Sequence, residues 1–184
     1  MADGPSADVG ALIARLVRDV PDFPEAGIVF KDISPLLADA AAFAQVVDAL
    51  ATSGRDESGA VAVDKVVGIE ARGFILAAPV ALALGAGFVP VRKVGKLPGE
   101  TFAESYALEY GEATLEAHRD AFAIGDTVLV VDDVLATGGT MRATVSLVEK
   151  GGAQVHAAAV LIELGFLNGR STVAGMRIDA LATV

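Results

Sequence analysis

The chain has no cysteine and no tryptophan in its 184 residues, and only two histidines. Without cysteine there is no disulfide and no thiolate metal site, a composition that fits a reducing cytosol. His118 and His156 stand apart, and no His, Asp and Glu residues cluster at metal-ligand spacing. Positive charge is scarce as well: 14 Lys and Arg face 24 Asp and Glu, a formal charge of −10, which argues against a general nucleic-acid-binding surface. The N-terminus lacks the basic stretch and apolar core of a signal peptide. The longest uncharged run, Phe74 to Val91, has 18 residues and reaches the length of a membrane-span candidate. Pro79, Gly85, Gly87 and Pro90 interrupt it, so it reads as a buried helix over 73–84, a glycine turn and a buried strand over 87–91. The chain also lacks the Gly-Lys-Ser/Thr of a triphosphate P-loop and any strand followed by G-x-G-x-x-G.

Hydrophobic residues make up 53% of the chain, ample for one domain with a sizeable core. The most informative stretch runs from Val128 to Met141. Val128-Leu129-Val130-Val131 reads as a buried strand. Asp132 and Asp133 follow where that strand is expected to end. Ala136-Thr137-Gly138-Gly139-Thr140 then leads into a helix. Two glycines let the backbone curl and keep Cβ atoms out of a ligand's path. Successive N–H groups and a helix N-terminus face an anion. Carboxylates repel phosphate but accept well from hydroxyls. The economical ligand is therefore a ribose 5-phosphate, with its hydroxyls on Asp132 and Asp133 and its phosphate on residues 136–140. A strand-end Asx turn explains Asp-Asp alone, and an ordinary loop explains Gly-Gly alone, but neither explains the ordered run.

The rest of the chain alternates strands and helices. Residues 1–7 are small and polar and are expected to be disordered, with Asp8 capping a first helix. Pro21–Pro35 reads as an ordered loop with an extended piece at Ile28–Phe30. A helix is expected over Asp39–Ala51, a polar turn over Thr52–Gly59 and a strand over Lys65–Ile69. Lys93–Glu104 reads as a basic Gly/Pro-containing loop. Glu104–Tyr110 alternates as a strand that turns back at Gly111 into Ala113–Ala117. A strand over Thr127–Val131, a helix ending near Lys150 and a strand over Val155–Ile162 complete the pattern. This is an α/β chain with a central parallel β-sheet flanked by helices. Ligands in such sheets sit beyond the carboxyl ends of strands, and candidate motifs follow Ile69, Val91 and Val131.

The run from Val128 to Met141 resembles the signature of the type I phosphoribosyltransferases, which bind phosphoribosyl pyrophosphate (PRPP). Three further stretches resemble the adenine phosphoribosyltransferase branch. They are Pro21–Leu37 with Val29-Phe30-Lys31, Gly68–Phe74, and Arg92–Gly99 followed by Ser105–Gly111. The resemblance runs from about Pro21 to Arg170.

It implies one phosphoribosyltransferase domain over 1–184, with a base-binding segment at 21–37 and a flexible hairpin lid at 93–117. The implied reaction is adenine plus PRPP giving AMP plus pyrophosphate through an oxocarbenium-like transition state. Val29, Phe30 and Lys31 would hold adenine. Glu70, Ala71, Arg72, Arg92, Lys93, Lys96 and Tyr110 would hold the pyrophosphate, with a cis peptide between Glu70 and Ala71. Glu109 and Arg72 would be catalytic, Glu109 at the purine N7. Mg²⁺ would arrive with PRPP, near Asp132 and Asp133, without a dedicated site. A cytoplasmic homodimer is implied, with no nucleic-acid or membrane partner. Glu-Ala at 70–71 replaces the commoner Asp-Ser, and Lys31 replaces the commoner Arg. A phosphoribosyltransferase for another base and a non-catalytic PRPP sensor are the alternatives. The lid motif and the absence of an added DNA-binding domain favour the enzyme.

Overall fold

The computed structural model describes residues 5–107 and 111–184, with side chains from Val9 onward. It divides into two compact units, Met1–Ala49 and Leu50–Val184.

The first unit begins with α1, Pro5–Leu16. Residues 5–7, expected to be disordered, form its first turn; a proline is pre-set for that position. Two short strands follow, β1 (Arg18–Pro21) and β2 (Val29–Asp32), paired antiparallel with Val20 opposite Phe30. The extended piece expected at Ile28–Phe30 is thus shifted towards Asp32 and gains a partner strand that the sequence did not signal. Asp22 closes the turn between them, accepting from the Gly27 N–H at 2.7 Å. Helix α2 (Ser34–Ala38) has Pro35 in its first turn. Asp39 caps α3 (Ala40–Ala51), its carboxylate accepting from the Ala41 and Ala42 N–H groups at 3.1 and 3.0 Å.

The second unit is built on a seven-stranded sheet in the order β5-β6-β4-β3-β7-β8-β9. Its strands are β3 (Lys65–Ile69), β4 (Gly87–Lys93), β5 (Thr101–Ala107), β6 (Glu112–His118), β7 (Thr127–Leu135), β8 (Gln154–Glu163) and β9 (Ile178–Thr183). The five strands from β4 to β9 run parallel. The hairpin β5–β6 joins the β4 edge antiparallel, through Arg92 opposite Glu116 and Lys93 opposite Leu115. Helix α4 (Arg72–Leu84) lies between β3 and β4, and α5 (Gly139–Lys150) between β7 and β8. Among the described residues, no helix is long and apolar enough to cross a membrane. The 18-residue uncharged run divides between α4 and β4, burying Leu76, Ala77, Val80, Ala81, Leu84, Val89 and Val91 but leaving Ile75, Leu82 and Phe88 exposed.

Boundaries near the sheet edge also differ from expectation, and β4 runs on to Lys93. Strand β5 starts at Thr101, so the basic loop is shorter than Lys93–Glu104. Strand β7 continues to Leu135 instead of ending at Val131, because Asp132, Val134 and Leu135 keep pairing with Val160, Ile162 and Glu163 of β8. The two aspartates therefore sit inside a paired strand.

Val128 to Val131 are fully buried, as the unbroken apolar run requires. Val128 and Val130 share one face of the strand and pack in a core with Leu115, Leu147, Val148 and Val160. Leu147 projects from α5 with no exposed surface. Its replacement by alanine leaves a cavity between helix and sheet. Leu147→Ala should destabilise the protein by about 2–5 kcal/mol, read by chemical denaturation against wild type.

Candidate functional site

Strands β4, β3 and β7 are neighbours in one parallel sheet, so their carboxyl ends open on one edge. Three loops leave that edge: Glu70–Ala71 after β3, residues 94–100 after β4, and Ala136–Gly138 after β7.

The β3 loop turns at once into α4, and the peptide between Glu70 and Ala71 is cis. At the head of α4, Arg72 pairs with Asp133 across a 2.8 Å contact. Asp133 is buried, so this guanidinium compensates a carboxylate that is poorly solvated. The adjacent Asp132 accepts from the Asp133 N–H at 2.9 Å. Burial first, and then the Asp133 charge, push the Asp132 carboxyl well above the ordinary carboxylate range, against the pull of the Asp133 N–H and Arg72. A hydroxyl donor or a cation delivered by a ligand would offset that cost.

Gly73, the last residue of the Glu70–Gly73 loop motif, governs this corner. A Cβ there would lie 2.8 Å from Asp132 Oδ1 and 3.0 Å from the Val131 carbonyl oxygen. Only glycine lets α4 start against the carboxylate pair. The signal was present in Glu-Ala-Arg-Gly-Phe, but its meaning depends on where β7 runs.

Glu70 faces the β4 end. It accepts from Arg92 Nε at 3.3 Å, Arg92 NH2 at 3.4 Å and the Lys93 N–H at 2.9 Å. Arg92 also donates to the Lys96 carbonyl at 3.0 Å, drawing the 94–100 loop onto this cluster. The Glu70 N–H is itself engaged with the Val91 carbonyl. Burial raises the Glu70 carboxyl, but the Lys93 N–H and Arg92 outweigh it and hold it below its ordinary range. Lys93 and Lys96 are exposed.

The third loop enters α5 through Gly138, whose φ of 83° is a left-handed conformation that glycine adopts freely. No side chain caps the helix. The first helical N–H groups, at Gly139, Thr140 and Met141, have no intrahelical acceptor and offer an anion site. The hairpin lies over this loop. The Thr140 hydroxyl donates to the Tyr106 hydroxyl at 3.1 Å, and the Tyr106 ring lies close to Gly139. At the other end of α5, Lys150 donates to the Ala103 carbonyl at 2.8 Å and pairs with Glu104 at 2.5 Å. The alternation over Glu104–Tyr110 gives no sign that Tyr106 meets the α5 loop.

The structure thus gathers Glu70, Ala71, Arg72, Arg92, Lys93, Lys96, Asp132, Asp133 and Ala136–Thr140 around one sheet edge. Val29, Phe30 and Lys31 belong to the first unit. There Phe30 meets Phe23 edge-to-face at 5.1 Å, and Lys31 pairs with Asp19 at 2.7 Å. Glu109 and Tyr110 lie outside the described residues. Among the described residues, no three His, Asp or Glu side chains group closely enough to hold a metal alone.

A carboxylate pair inside β7, followed by an uncapped, glycine-entered helix, offers hydroxyl acceptors and anion-facing N–H groups at one edge of an α/β sheet. The family model that matches is the phosphoribosyl transferase domain, over residues 36–173. The adenine phosphoribosyltransferase of Nocardioides sp. is 65% identical over 181 residues, covering 98% of each chain. That of Thermobifida fusca is 58% identical, covering 97% of this chain and 99% of the relative. The solved adenine phosphoribosyltransferase of Rhodothermus marinus is 47% identical with a TM-score of 0.89, covering 97% of this chain and 99% of that one. The enzyme of Saccharomyces cerevisiae, solved with an imino-altritol bisphosphate and adenine, is 38% identical with a TM-score of 0.90, covering 95% and 99%. The chain belongs to the phosphoribosyl transferase family and, within it, to the adenine phosphoribosyltransferases.

Two outcomes test this geometry. Gly73→Ala should push the Asp132 carboxylate aside and lower kcat/KM for PRPP by about a hundredfold, measured by nucleotide formation, with the fold retained by circular dichroism. For Glu70, the folded carboxyl is more acidic than its unfolded reference of 4.5. Its stabilisation is complete above that value and fades as pH falls through the lower folded value. Thermal midpoints of wild type and Glu70→Gln should therefore differ at about pH 6 and converge towards about pH 3.

Proposed function

We propose that this enzyme converts adenine and PRPP into AMP and pyrophosphate, a step of purine salvage. The observation that carries the reading is the Asp132-Asp133 pair, with Asp133 buried and held by Arg72, near the uncapped N-terminus of α5. That arrangement suits a ribose with its hydroxyls on the carboxylates and its 5-phosphate on Ala136, Thr137, Gly138, Gly139 and Thr140. The pyrophosphate then falls towards Ala71, Arg72 and the Arg92, Lys93 and Lys96 cluster. Cations in place before the bond breaks stabilise charge as it moves onto the leaving group. Glu70 holds Arg92 in that cluster.

The transition state is oxocarbenium-like, so water must be kept out while the ribose carbon is electron-poor. The hairpin is the lid in this reading, anchored on α5 through Tyr106 and Lys150. Glu109 would accept or return the purine N7 proton, and Tyr110 would contact the pyrophosphate. Val29, Phe30 and Lys31 form the adenine site, with Phe30 stacking on the base and backbone groups reading its amino edge. A 6-oxo purine presents the opposite donor and acceptor pattern there and is penalised. Adenine bound to the yeast enzyme supports this choice of base.

Mg²⁺ fits the donor set. Asp132 and Asp133 are hard oxygen donors, and the raised proton affinity of Asp132 marks a negative charge short of partners. The ion would arrive with PRPP and neutralise part of the pyrophosphate charge. The reading places 1–184 in one catalytic domain, with 21–37 as base-binding segment and 93–117 as lid. It also takes the enzyme to be a cytoplasmic homodimer.

Purified protein with PRPP, Mg²⁺ and each purine in turn tests the proposal. AMP should form from adenine, with rates at least about a hundredfold lower for hypoxanthine and guanine. Turnover of a 6-oxo purine instead would keep the PRPP site and overturn the base. PRPP binding without turnover of any base would favour a sensor.

A further inference from the structure

The Ala136–Thr140 loop rests on a turn that comes more than thirty residues later in the chain. The Thr172 hydroxyl donates to the Thr137 carbonyl oxygen at 2.7 Å. In a planar trans peptide the carbonyl and the N–H point opposite ways. Holding the Thr137 carbonyl on Thr172 therefore turns the Gly138 N–H to the other side of the loop.

Backbone contact continues the same support. A Cβ on Gly169 would collide with the Ala136 carbonyl oxygen, and a Cβ on Gly138 would collide with the Gly169 carbonyl oxygen. The two glycines allow loop and turn to touch directly, with no side chain between them to flex.

The turn itself, Gly169–Val173, is anchored to the sheet. Arg170 grips both oxygens of Glu163 at 2.8 Å and donates to the Ile178 carbonyl at 2.8 Å. Glu163 is buried at the end of β8, opposite Leu135 of β7 and Thr183 of β9. A bidentate pair of this kind fixes direction as well as distance. The support under the loop is thus tied to three strands.

We propose that the Gly169–Val173 turn is the positioning element of the 5-phosphate loop, with Thr172 as a positioning residue for phosphoribosyl ligands. This rests on the assignment of the 5-phosphate to residues 136–140. Thr172 acts through the Thr137–Gly138 peptide. Its loss should weaken ligands that carry a ribose 5-phosphate and spare those that do not.

The test compares Thr172→Val, Thr172→Ala and Thr172→Ser with Thr140→Val, a change inside the loop. Ribose 5-phosphate affinity is read by calorimetry, and KM values for AMP and pyrophosphate are read in the reverse reaction. Thr172→Val and Thr172→Ala should each weaken ribose 5-phosphate and raise KM for AMP about tenfold, the effect of one hydrogen bond. KM for pyrophosphate should stay within about twofold, and Thr172→Ser should match wild type. Unchanged ribose 5-phosphate affinity in the Thr172 variants, with a loss in Thr140→Val, would overturn the proposal and leave the phosphate site standing. No loss in any variant would overturn the phosphate assignment and the proposal with it. Equal weakening of AMP and pyrophosphate with a lowered unfolding midpoint would mark a general structural defect and also overturn the proposal. Two non-bonding variants are used so that poor folding of one leaves the other to decide.

Discussion

The arrangement turns on two adjacent carboxylates held inside a paired strand of a buried sheet. Removing Asp132 and Asp133 from water is unfavourable, and the surrounding structure is shaped to limit that cost. Arg72 reaches Asp133 from the head of α4, and α4 starts there only because Gly73 has no Cβ to strike Asp132. The cation and the close approach come from one short turn after β3. The site's electrostatics and its packing are therefore a single problem with a single local solution.

The same economy extends along the sheet edge. Glu70 leaves β3 beside Arg72 but faces β4, where it holds Arg92 and the Lys93 N–H. One carboxylate thus keeps a guanidinium in place next to exposed lysines, in a chain whose net charge is −10. Local cations, arranged by local anions, let an acidic protein receive a polyanionic substrate. On the far side, the Ala136–Thr140 loop is supported from below by Gly169 and Thr172 and approached from above by Tyr106. An uncapped helix N-terminus binds an anion well only if its N–H groups are already aimed, and these contacts supply the aim.

Much of this was legible in the chain itself. The apolar run Val128–Val131, the Asp-Asp pair, the Thr-Gly-Gly-Thr loop and the alternation of strands and helices depend on local chemistry. Backbone freedom, periodicity and hydrogen-bonding character survive in a one-dimensional reading. The extent of β7 did not, because continued pairing of Asp132 to Leu135 is decided by β8. Strand β1 escaped notice for the same reason: four residues ending in Pro21 become a strand only when β2 lies alongside.

The sequence by itself determined the donor and acceptor types and the glycine positions of the β7–α5 region, since these belong to residues. It also determined the family, through four motifs in one register. Only the tertiary structure decided which groups meet. Arg72 with Asp133, Gly73 with Asp132, Glu70 with Arg92 and Thr172 with Thr137 are far apart in the chain and share no local pattern. Their pairing follows from strand order and from packing, where a single Cβ is enough to forbid a contact.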